Sequence, residues 1–356
     1  MRRNMKTSFS LLVVATFCFV SCFDPPVQDP VVSIEFYFLA DSTLTNMDSL
    51  EENLYSLELA DEPWLIEDDI AFYEWSTHCI YLNKSKRELL PEFYSNMNMV
   101  NEIKPFVVTV DSLPVYLACF DDVNHAMLNP FPSISLIEFT CYPNDILSYF
   151  YFPMHDPDRR DNIILKNALI ENGQYRGGLE IRLDLDYGMH ITRSNDSTTI
   201  EYKMIFNNLN DDALYVLDPV KTGWDLFLLL NEPPYFTNLA NNRCAHSYQD
   251  LDENSIPDTL EWGDTRFYTR IPARRSISRT IMVGGYIDFQ PDTYYFYQYY
   301  RSFPKNMSLE NRTKSNGRIW IGWTYLPFYQ VTYTGEEVGT LTEFNPASLF
   351  EKFIPK

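Results

Sequence analysis

Basic residues and glycine are scarce in this chain, and each shortage excludes a class of protein. The 356 residues include 28 Lys and Arg against 49 Asp and Glu, which gives a formal net charge of −21. A nucleic-acid partner is therefore not expected, because phosphate contacts require clustered Lys and Arg. Only 12 residues are Gly, whereas 25 are Tyr and 25 are Phe. Abundant aromatic residues are typical of strands, so the composition predicts a mainly β protein rather than a helical bundle.

The sequence also lacks the short motifs that mark common enzymes. It contains no G-x-S-x-G, no H-E-x-x-H, no phosphate-binding loop and no G-x-G-x-x-G. Its five His residues are scattered, and His78 and Cys79 are predicted to lie along one strand with their side chains on opposite faces. We therefore predict a non-enzymatic protein. A carbohydrate hydrolase with an unrecognised carboxylate pair is the alternative, because two acids suffice for that chemistry and this chain has many.

Long apolar runs are absent except at the N-terminus. Arg2, Arg3 and Lys6 precede an apolar segment at residues 11–19, which is shorter than the ~18 apolar residues of a membrane span. A positive segment followed by a short apolar one is typical of a secretory signal peptide. The sequence therefore predicts that residues 1–21 are processing sequence and that the body is exported.

The apolar segment ends in Phe19-Val20-Ser21-Cys22. This tetrapeptide resembles the lipobox of bacterial lipoproteins, in which the Cys is lipidated and becomes the new N-terminus; Phe19 stands where the family usually has Leu. The resemblance implies a lipid on Cys22 and an outer-membrane anchor in the cell envelope, on either the periplasmic or the surface face. Residues 22–30 contain three Pro and predict an extended tether. Because anionic lipid surfaces repel an acidic body, the lipid chains must hold it at the membrane.

Two blocks follow the tether. We predict a β-rich α+β domain over residues 31–150, a linker over 151–177, an immunoglobulin-like β-sandwich over 178–333, and a C-terminal segment with a short helix over 334–356. The second block starts with a period-two alternation of apolar and polar residues from residue 179, as a half-buried strand requires. Residues 198–206 repeat that alternation, an Asn- and Asp-rich turn follows, and residues 213–217 are predicted to be the return strand.

The pattern of this second block resembles the immunoglobulin-like domains of exported bacterial proteins. Short strands are separated by turn residues, and a strand rich in hydroxyl groups and Arg at 276–283 precedes an aromatic strand at 293–300. The resemblance implies a sandwich of two sheets. The aromatic strand can fill the sandwich core, or it can present a stacking surface for sugar rings together with Trp320 and Trp323; core packing is the better account.

One acidic loop has the spacing of a calcium site. Oxygen-bearing residues recur along the loop with a carbonyl between them, as a seven-coordinate Ca²⁺ requires, and the set is Asp250, Asp252, Asn254, Ile256, Asp258 and Glu261. The loop resembles the calcium loops of thrombospondin type 3 repeats. Ser255 replaces the Gly that permits the sharp turn, so a solvated acidic loop is the alternative interpretation.

Asp followed by Ser or Thr recurs along the chain, and this dipeptide resembles the O-glycosylation acceptor of exported proteins in some Gram-negative anaerobes. Plain turn chemistry is the alternative explanation, because Asp and Ser both favour turns. The acceptor residues would be Ser42, Ser49, Ser112, Ser197 and Thr259.

After export and lipidation four cysteines remain, namely Cys79, Cys119, Cys141 and Cys244. Cys119 and Cys141 lie in strand-like runs and are the pair most expected to be neighbours, but buried thiols are an equal expectation. Taken together, the sequence predicts a lipid-anchored envelope protein whose immunoglobulin-like half presents a binding or docking surface for an unidentified protein or glycan.

Overall fold

Strands form most of the regular structure, as the sequence predicts. The computed structural model describes residues 31–91, 103–121, 131–135, 143–149, 158–194, 197–222, 235–237, 243–245, 265–285, 290–302, 313–314, 316–327 and 329–343. The α-helices are Met47–Glu52, Lys86–Leu89, Ile163–Glu171 and Pro219–Thr222, and the 3-10 helices are Leu54–Ser56, Glu67–Asp69 and Thr265–Phe267. Within these residues no helix is long and apolar enough to cross a membrane.

The strands are numbered along the chain: β1 Ile34–Phe38, β2 Leu65–Ile66, β3 Ile70–Glu74, β4 Cys79–Leu82, β5 Lys104–Val110, β6 Leu113–Asp121, β7 Ser133–Ser135, β8 Ile146–Ser148, β9 Tyr175–Arg176, β10 Leu179–Leu183, β11 Met189–Ser194, β12 Ser197–Asn208, β13 Leu214–Leu217, β14 Tyr235–Thr237, β15 Arg243–Ala245, β16 Tyr268–Ile271, β17 Ser276–Gly285, β18 Asp292–Tyr297, β19 Tyr299–Ser302, β20 Thr313–Lys314, β21 Gly317–Ile319, β22 Gly322–Tyr325, β23 Tyr329–Tyr333 and β24 Val338–Glu343.

A five-stranded sheet in the order β2-β1-β5-β6-β7 forms the first layer. Its central hairpin joins β5 to β6 through Asp111 and Ser112, whose φ angles are 48° and 65°. Positive φ at both positions is the mirror-image turn that suits the twist of a two-residue hairpin. Trp64 fills the adjoining core, with its ring centroid 5.4 Å from that of Phe106.

A second, four-stranded sheet in the order β8-β4-β3-β9 lies within the same half of the chain. Its strand β9 runs parallel to β3, with Tyr175 opposite Tyr73. Before β9, the helix Ile163–Glu171 is started by Asn162, whose side-chain oxygen accepts hydrogen bonds from Ile164 and Leu165. The predicted linker over 151–177 differs from the structure here, because its described part contains this helix and a paired strand.

The largest sheet has nine strands and occupies the C-terminal half. Its order is β10-β12-β11-β24-β23-β18-β14-β15, and β17 also pairs with β12. The long strand β12 pairs along one edge with β10 and β11, at successive parts of its length, and along the other edge with β17. Its alternate side chains Ile200, Tyr202, Met204 and Phe206 are fully buried, so the predicted period-two strand is confirmed.

The sequence predicts that residues 213–217 return beside β12. A strand does form there, β13, but it does not pair with β12. Strand β13 turns away and joins a four-stranded sheet, where it pairs antiparallel with β16 and parallel with β21. Two buried asparagines redirect the chain. The amide of Asn208 donates to the carbonyls of Asp212, Ile271 and Pro272, and Asn210 accepts a hydrogen bond from the Gly178 N–H. The immunoglobulin-like arrangement stays a prediction.

The aromatic segment after β17 packs inward. Tyr294, Phe296, Tyr300 and Trp320 are all at most 2% exposed, so core packing is confirmed as their role; the side chain of Trp323 lies outside the described residues. The helix Lys86–Leu89 follows Ser85, which forms a capping box with Glu88. The segment predicted as a closing helix near residue 350 lies outside the described residues.

Candidate functional site

Strand β3 carries two different polar clusters on its two faces. Tyr73 points to one face, and Trp75, just beyond the strand, follows it at a spacing of two residues. The backbone N–H groups of Tyr73 and Trp75 donate to the carbonyls of Gln174 and Arg176, which anchors this segment to β9. Glu74 points to the other face and is fully buried. The strand therefore separates an accessible cluster from an internal ion pair.

The accessible cluster consists of Trp75, Asp161, Lys166 and Tyr175, and we name these four residues the Trp75 surface. The rings of Trp75 and Tyr175 are both partly exposed, and their centroids lie 5.9 Å apart. Lys166 projects from the helix Ile163–Glu171, and its ammonium group lies 5.1 Å from the Trp75 centroid and 5.4 Å from the Tyr175 centroid. These are cation–π distances.

Asp161 supplies the negative charge of this surface. Its side chain is 59% exposed, and its Oδ1 lies 3.6 Å from Nε2 of the buried His78. The Trp75 side chain, with the charges of Arg160 and Lys166, favours the ionised form of the Asp161 carboxyl. Partial burial, together with the nearby charge of Asp158, raises the pKa of the Asp161 carboxyl above its usual value. The Asp161 carboxylate thus lies next to the buried His78 on one side and is open to solvent on the other.

Exposed isoleucines extend the Trp75 surface along the helix. Ile163 and Ile170 are 63% and 52% exposed, and they lie three and four residues from Lys166, which places all three on neighbouring positions of one helix face. The opposite face of the helix, formed by Leu165, Ala168 and Leu169, is buried. The exposed apolar groups therefore lie on the same helix face as Lys166, which contacts the aromatic pair.

A buried polar network lies next to the Trp75 surface on its interior side. Its first part is formed by His78 and Tyr73. His78 sits in the tight turn between β3 and β4 with a positive φ of 51°, and its Nδ1 lies 2.9 Å from the Tyr73 hydroxyl. Burial, with a contribution from Arg160, lowers the pKa of His78 well below its usual value, so the ring is neutral. Because Nε2 faces a carboxylate, we infer that Nε2 carries the proton and that Tyr73 donates to Nδ1.

Arg160 and Asp158 form the second part of this network. The Arg160 guanidinium donates from Nε and Nη2 to the two Asp158 oxygens at 3.0 and 2.6 Å, and from Nη1 to the Tyr149 carbonyl at 2.9 Å. Burial raises the pKa of the Asp158 carboxyl, but the charge and hydrogen bonds of Arg160 outweigh burial and hold that pKa below its usual value. Asp158 is therefore ionised, and both of its carboxylate oxygens accept hydrogen bonds from Arg160.

On the other face of β3, Glu74 forms an ion pair with Arg318 of the C-terminal half. The Arg318 Nη2 donates to Glu74 at 2.5 Å, and the guanidinium also lies 4.9 Å from the Phe72 centroid and 5.4 Å from the Tyr81 centroid. Tyr81 further donates its hydroxyl to the carbonyl of Ile321. This cluster joins β3 and β4 to β21 and the residues that follow it. Glu74 and Tyr81 are buried in the interior.

The sequence-predicted site residues are largely separate from the Trp75 surface. Ser42, Ser49 and Ser112 are exposed, as an acceptor for a surface modification must be, and Ser197 begins β12. The calcium residues Asp250, Asp252, Asn254, Ile256, Asp258 and Glu261, together with Thr259 and Cys22, lie outside the described residues. In the described part of the chain, no group of three or more His, Cys, Asp or Glu residues is placed to hold a metal.

The predicted proximity of Cys119 and Cys141 stays a prediction. Cys119 is buried in β6, whereas Cys79 is buried in β4 of the other sheet. Cys141 lies outside the described residues, and only the backbone of Cys244 is described, in β15.

Sequence reasoning missed all four members of the Trp75 surface. Trp75 and Tyr175 are one hundred residues apart and become neighbours only through the parallel pairing of β9 with β3. Asp161 and Lys166 fall in the segment predicted to be a linker, so nothing in their local pattern distinguished them from other surface charges. No protein-family model, curated protein or solved structure matches this chain.

Proposed function

We propose that this chain is an exported cell-envelope protein, anchored to the outer membrane by lipid on Cys22, whose body works as a non-enzymatic binding or docking module. The partner, a protein or a glycan, contacts the Trp75 surface. The observation that carries this proposal is the partly exposed pair Trp75 and Tyr175, set beside an oriented carboxylate and two exposed isoleucines. The predicted immunoglobulin-like half has a structural role in this proposal.

The composition of the surface supports docking. Large apolar side chains that remain exposed next to one another mark contact sites, because leaving them in water forgoes the stabilisation of burial. Tyr and Trp are also enriched among the residues that dominate binding energy. The Asp161 carboxylate lies near His78, whose ring is held by the Tyr73 hydroxyl, so a ligand meets groups that are already positioned.

Ca²⁺ at Asp250–Glu261 and O-linked glycans at the Asp-Ser and Asp-Thr sites belong to the same proposal. Calcium would order an acidic loop, and glycans would solubilise exposed turns of the body. The tether at residues 22–30 would hold the body away from the bilayer.

One observation favours a hydrolase as the second candidate function. The pKa of Asp161 is raised while that of its neighbour Asp158 is lowered, and such divergence is typical of an acid and a base that work together. Asp158, however, gives both oxygens to Arg160, and its side chain is only 23% exposed. A catalytic carboxylate must reach the substrate, so the geometry favours binding over hydrolysis.

Site-specific photo-crosslinking in living cells tests the docking role. The full-length chain would carry the photoreactive residue p-benzoylphenylalanine in place of Ile170, on the helix that carries Lys166. In the control, the same residue would replace Met282 on β17. The two positions are 52% and 45% exposed, so exposure alone gives them similar chances of reaction. We expect a discrete adduct from position 170 that Trp75→Leu and Asp161→Asn abolish. Equal adducts from both positions, or no adduct from position 170, would contradict the proposal.

A further inference from the structure

Lys166 holds an unusual position for a lysine in a strongly acidic protein. Its ammonium group lies over the Trp75 and Tyr175 rings at 5.1 and 5.4 Å. In the described part of the chain no carboxylate lies within ion-pair distance of it, and Asp161 influences it only at longer range. The position over the two rings therefore accepts a cation although no contact ion pair holds the cation there.

We propose that the Trp75 surface is a binding site for an alkylammonium group of the partner, and that Lys166 fills this site until the partner arrives. The ligand group is a primary or quaternary amine, such as a lysine side chain. This inference rests on the proposed docking function and specifies the chemistry that the surface recognises.

The charges of the site select a cation. The faces of both rings are negative because of their π-electrons, so a cation placed over both of them is attracted to each. Asp161 adds a formal negative charge at the edge of the same space. The net charge of −21 further raises the local concentration of cations around the body. An anionic ligand would meet Asp161 and would gain nothing from the ring faces.

Displacement of Lys166 is energetically feasible. An exposed cation–π contact contributes only about 0.5–1 kcal/mol, and the four-carbon stem of lysine can swing aside into solvent. An incoming ammonium group would take over the ring contacts and could also approach Asp161 closely, which Lys166 does not do. The partner's amine thus gains one interaction more than the internal lysine has.

A titration of the full-length chain in non-ionic detergent with tetramethylammonium chloride tests this inference. Binding would be followed through the NMR signal of the Trp75 indole N–H, at constant ionic strength maintained with sodium chloride. Removing the internal competitor in Lys166→Gln should tighten binding about two- to fivefold, which is the worth of one exposed cation–π contact. Asp161→Asn should weaken binding, and Trp75→Leu should abolish it.

Two controls make the result specific. Lys203→Gln removes another lysine over an aromatic ring, that of Tyr187, and should leave the affinity unchanged. Neopentyl alcohol, an uncharged molecule of nearly the same shape, should not bind. Equal affinity in the wild type and Lys166→Gln, or equal binding of neopentyl alcohol, would overturn the inference. Lys166 and Asp161 are surface residues, so these two variants keep the test valid even if Trp75→Leu unfolds.

The tetramethylammonium titration and the crosslinking experiment can fail independently, so they distinguish the ammonium site from the docking role. Tetramethylammonium binding without a crosslink at position 170 would support the ammonium site and overturn the docking role. A crosslink without tetramethylammonium binding would leave the docking role in place and overturn the ammonium site, and a saccharide or an apolar peptide would then be the occupant.

Discussion

At the scale of single residues, His78 links the interior of the first half to its surface. It is 5% exposed and lies between the Tyr73 hydroxyl and the Asp161 carboxylate. The positive φ of 51° at His78 allows the turn to bring the ring back over β3. The sequence placed His78 along a strand with Cys79, and this was wrong because β4 begins at Cys79. A left-handed turn at a histidine has no local sequence pattern.

The neutral state of His78 predicts a pH dependence of stability. In the unfolded chain the ring takes up a proton below its usual pKa of 6.5, whereas the folded pKa lies well below this value. The unfolded state therefore binds more protons over this window, and the free energy of unfolding falls as the pH falls below 6.5. Between about pH 7 and pH 5 the stability falls because of His78, by at most about 2 kcal/mol, the limit set by the unfolded pKa of 6.5.

The measurement is urea unfolding of the wild type and of His78→Asn at both pH values. Asn tolerates the positive φ of this turn, so the variant should fold. It should lose clearly less stability than the wild type on acidification, because it lacks the titrating ring. Tyr73, Asp158, Arg160 and Asp161 face the ring in both proteins, so the difference between the two proteins isolates His78. Parallel pH profiles would show that His78 binds its proton equally in the folded and unfolded states, which contradicts the lowered pKa.

At the scale of secondary-structure elements, β3 is fastened to the C-terminal half by the pair Glu74–Arg318. Burial raises the pKa of Glu74, and Arg318 opposes this effect by charge and hydrogen bonds. Loss of one partner leaves a buried charge without compensation, so Arg318→Met should destabilise the protein by about 3–5 kcal/mol. Replacing both partners, in Glu74→Leu/Arg318→Met, should recover most of that loss.

Chemical unfolding of these variants checks this prediction, with Arg274→Met as the matched control. Arg274 pairs with Asp211, but the two side chains are 61% and 89% exposed, so water replaces the lost partner and little effect is expected. If Arg318→Met were tolerated as well as Arg274→Met, the pair would not connect the two halves in the way that the geometry indicates.

The acidic loop at Asp250–Glu261 gives a second prediction at this scale. If the loop binds Ca²⁺, its carboxylates repel one another without the metal, and the ion should stabilise the folded state. The gain is about 2.7 kcal/mol at a roughly hundredfold excess of free Ca²⁺ over the Kd. Thermal melting in calcium and in chelator measures this gain, and Mg²⁺ should substitute poorly because it demands strict octahedral geometry. An equal calcium shift in Asp250→Ala/Asp252→Ala would leave only a solvated loop.

The elements that the sequence predicted are those with a strong local pattern. The strands β10 and β12 follow a period-two alternation of apolar and polar residues, and β18 follows an aromatic run. The helix Ile163–Glu171 was missed because its exposed face carries isoleucines, which conceal the helical periodicity. Strand pairing was also missed, since the partner of β13 is chosen by buried asparagine contacts between distant segments.

At the scale of the whole molecule, charge and anchoring are linked. The body is strongly acidic, with a net charge of −21 for the full chain, so electrostatics disfavour adsorption to an anionic bilayer. The described part of the chain contains no helix that could span a membrane. In the proposed function, lipid on Cys22 supplies the membrane attachment on which the docking role depends.

Metabolic labelling with a fatty acid, followed by membrane fractionation, tests this claim most directly. The wild type should carry the label and sediment with membranes, whereas Cys22→Ser should lose the label and become soluble, because it lacks the only thiol at the processing site. Cys18→Ser, within the signal segment, is the matched control and should behave like the wild type. Retention of label and membrane association by Cys22→Ser would contradict the lipid-anchored account.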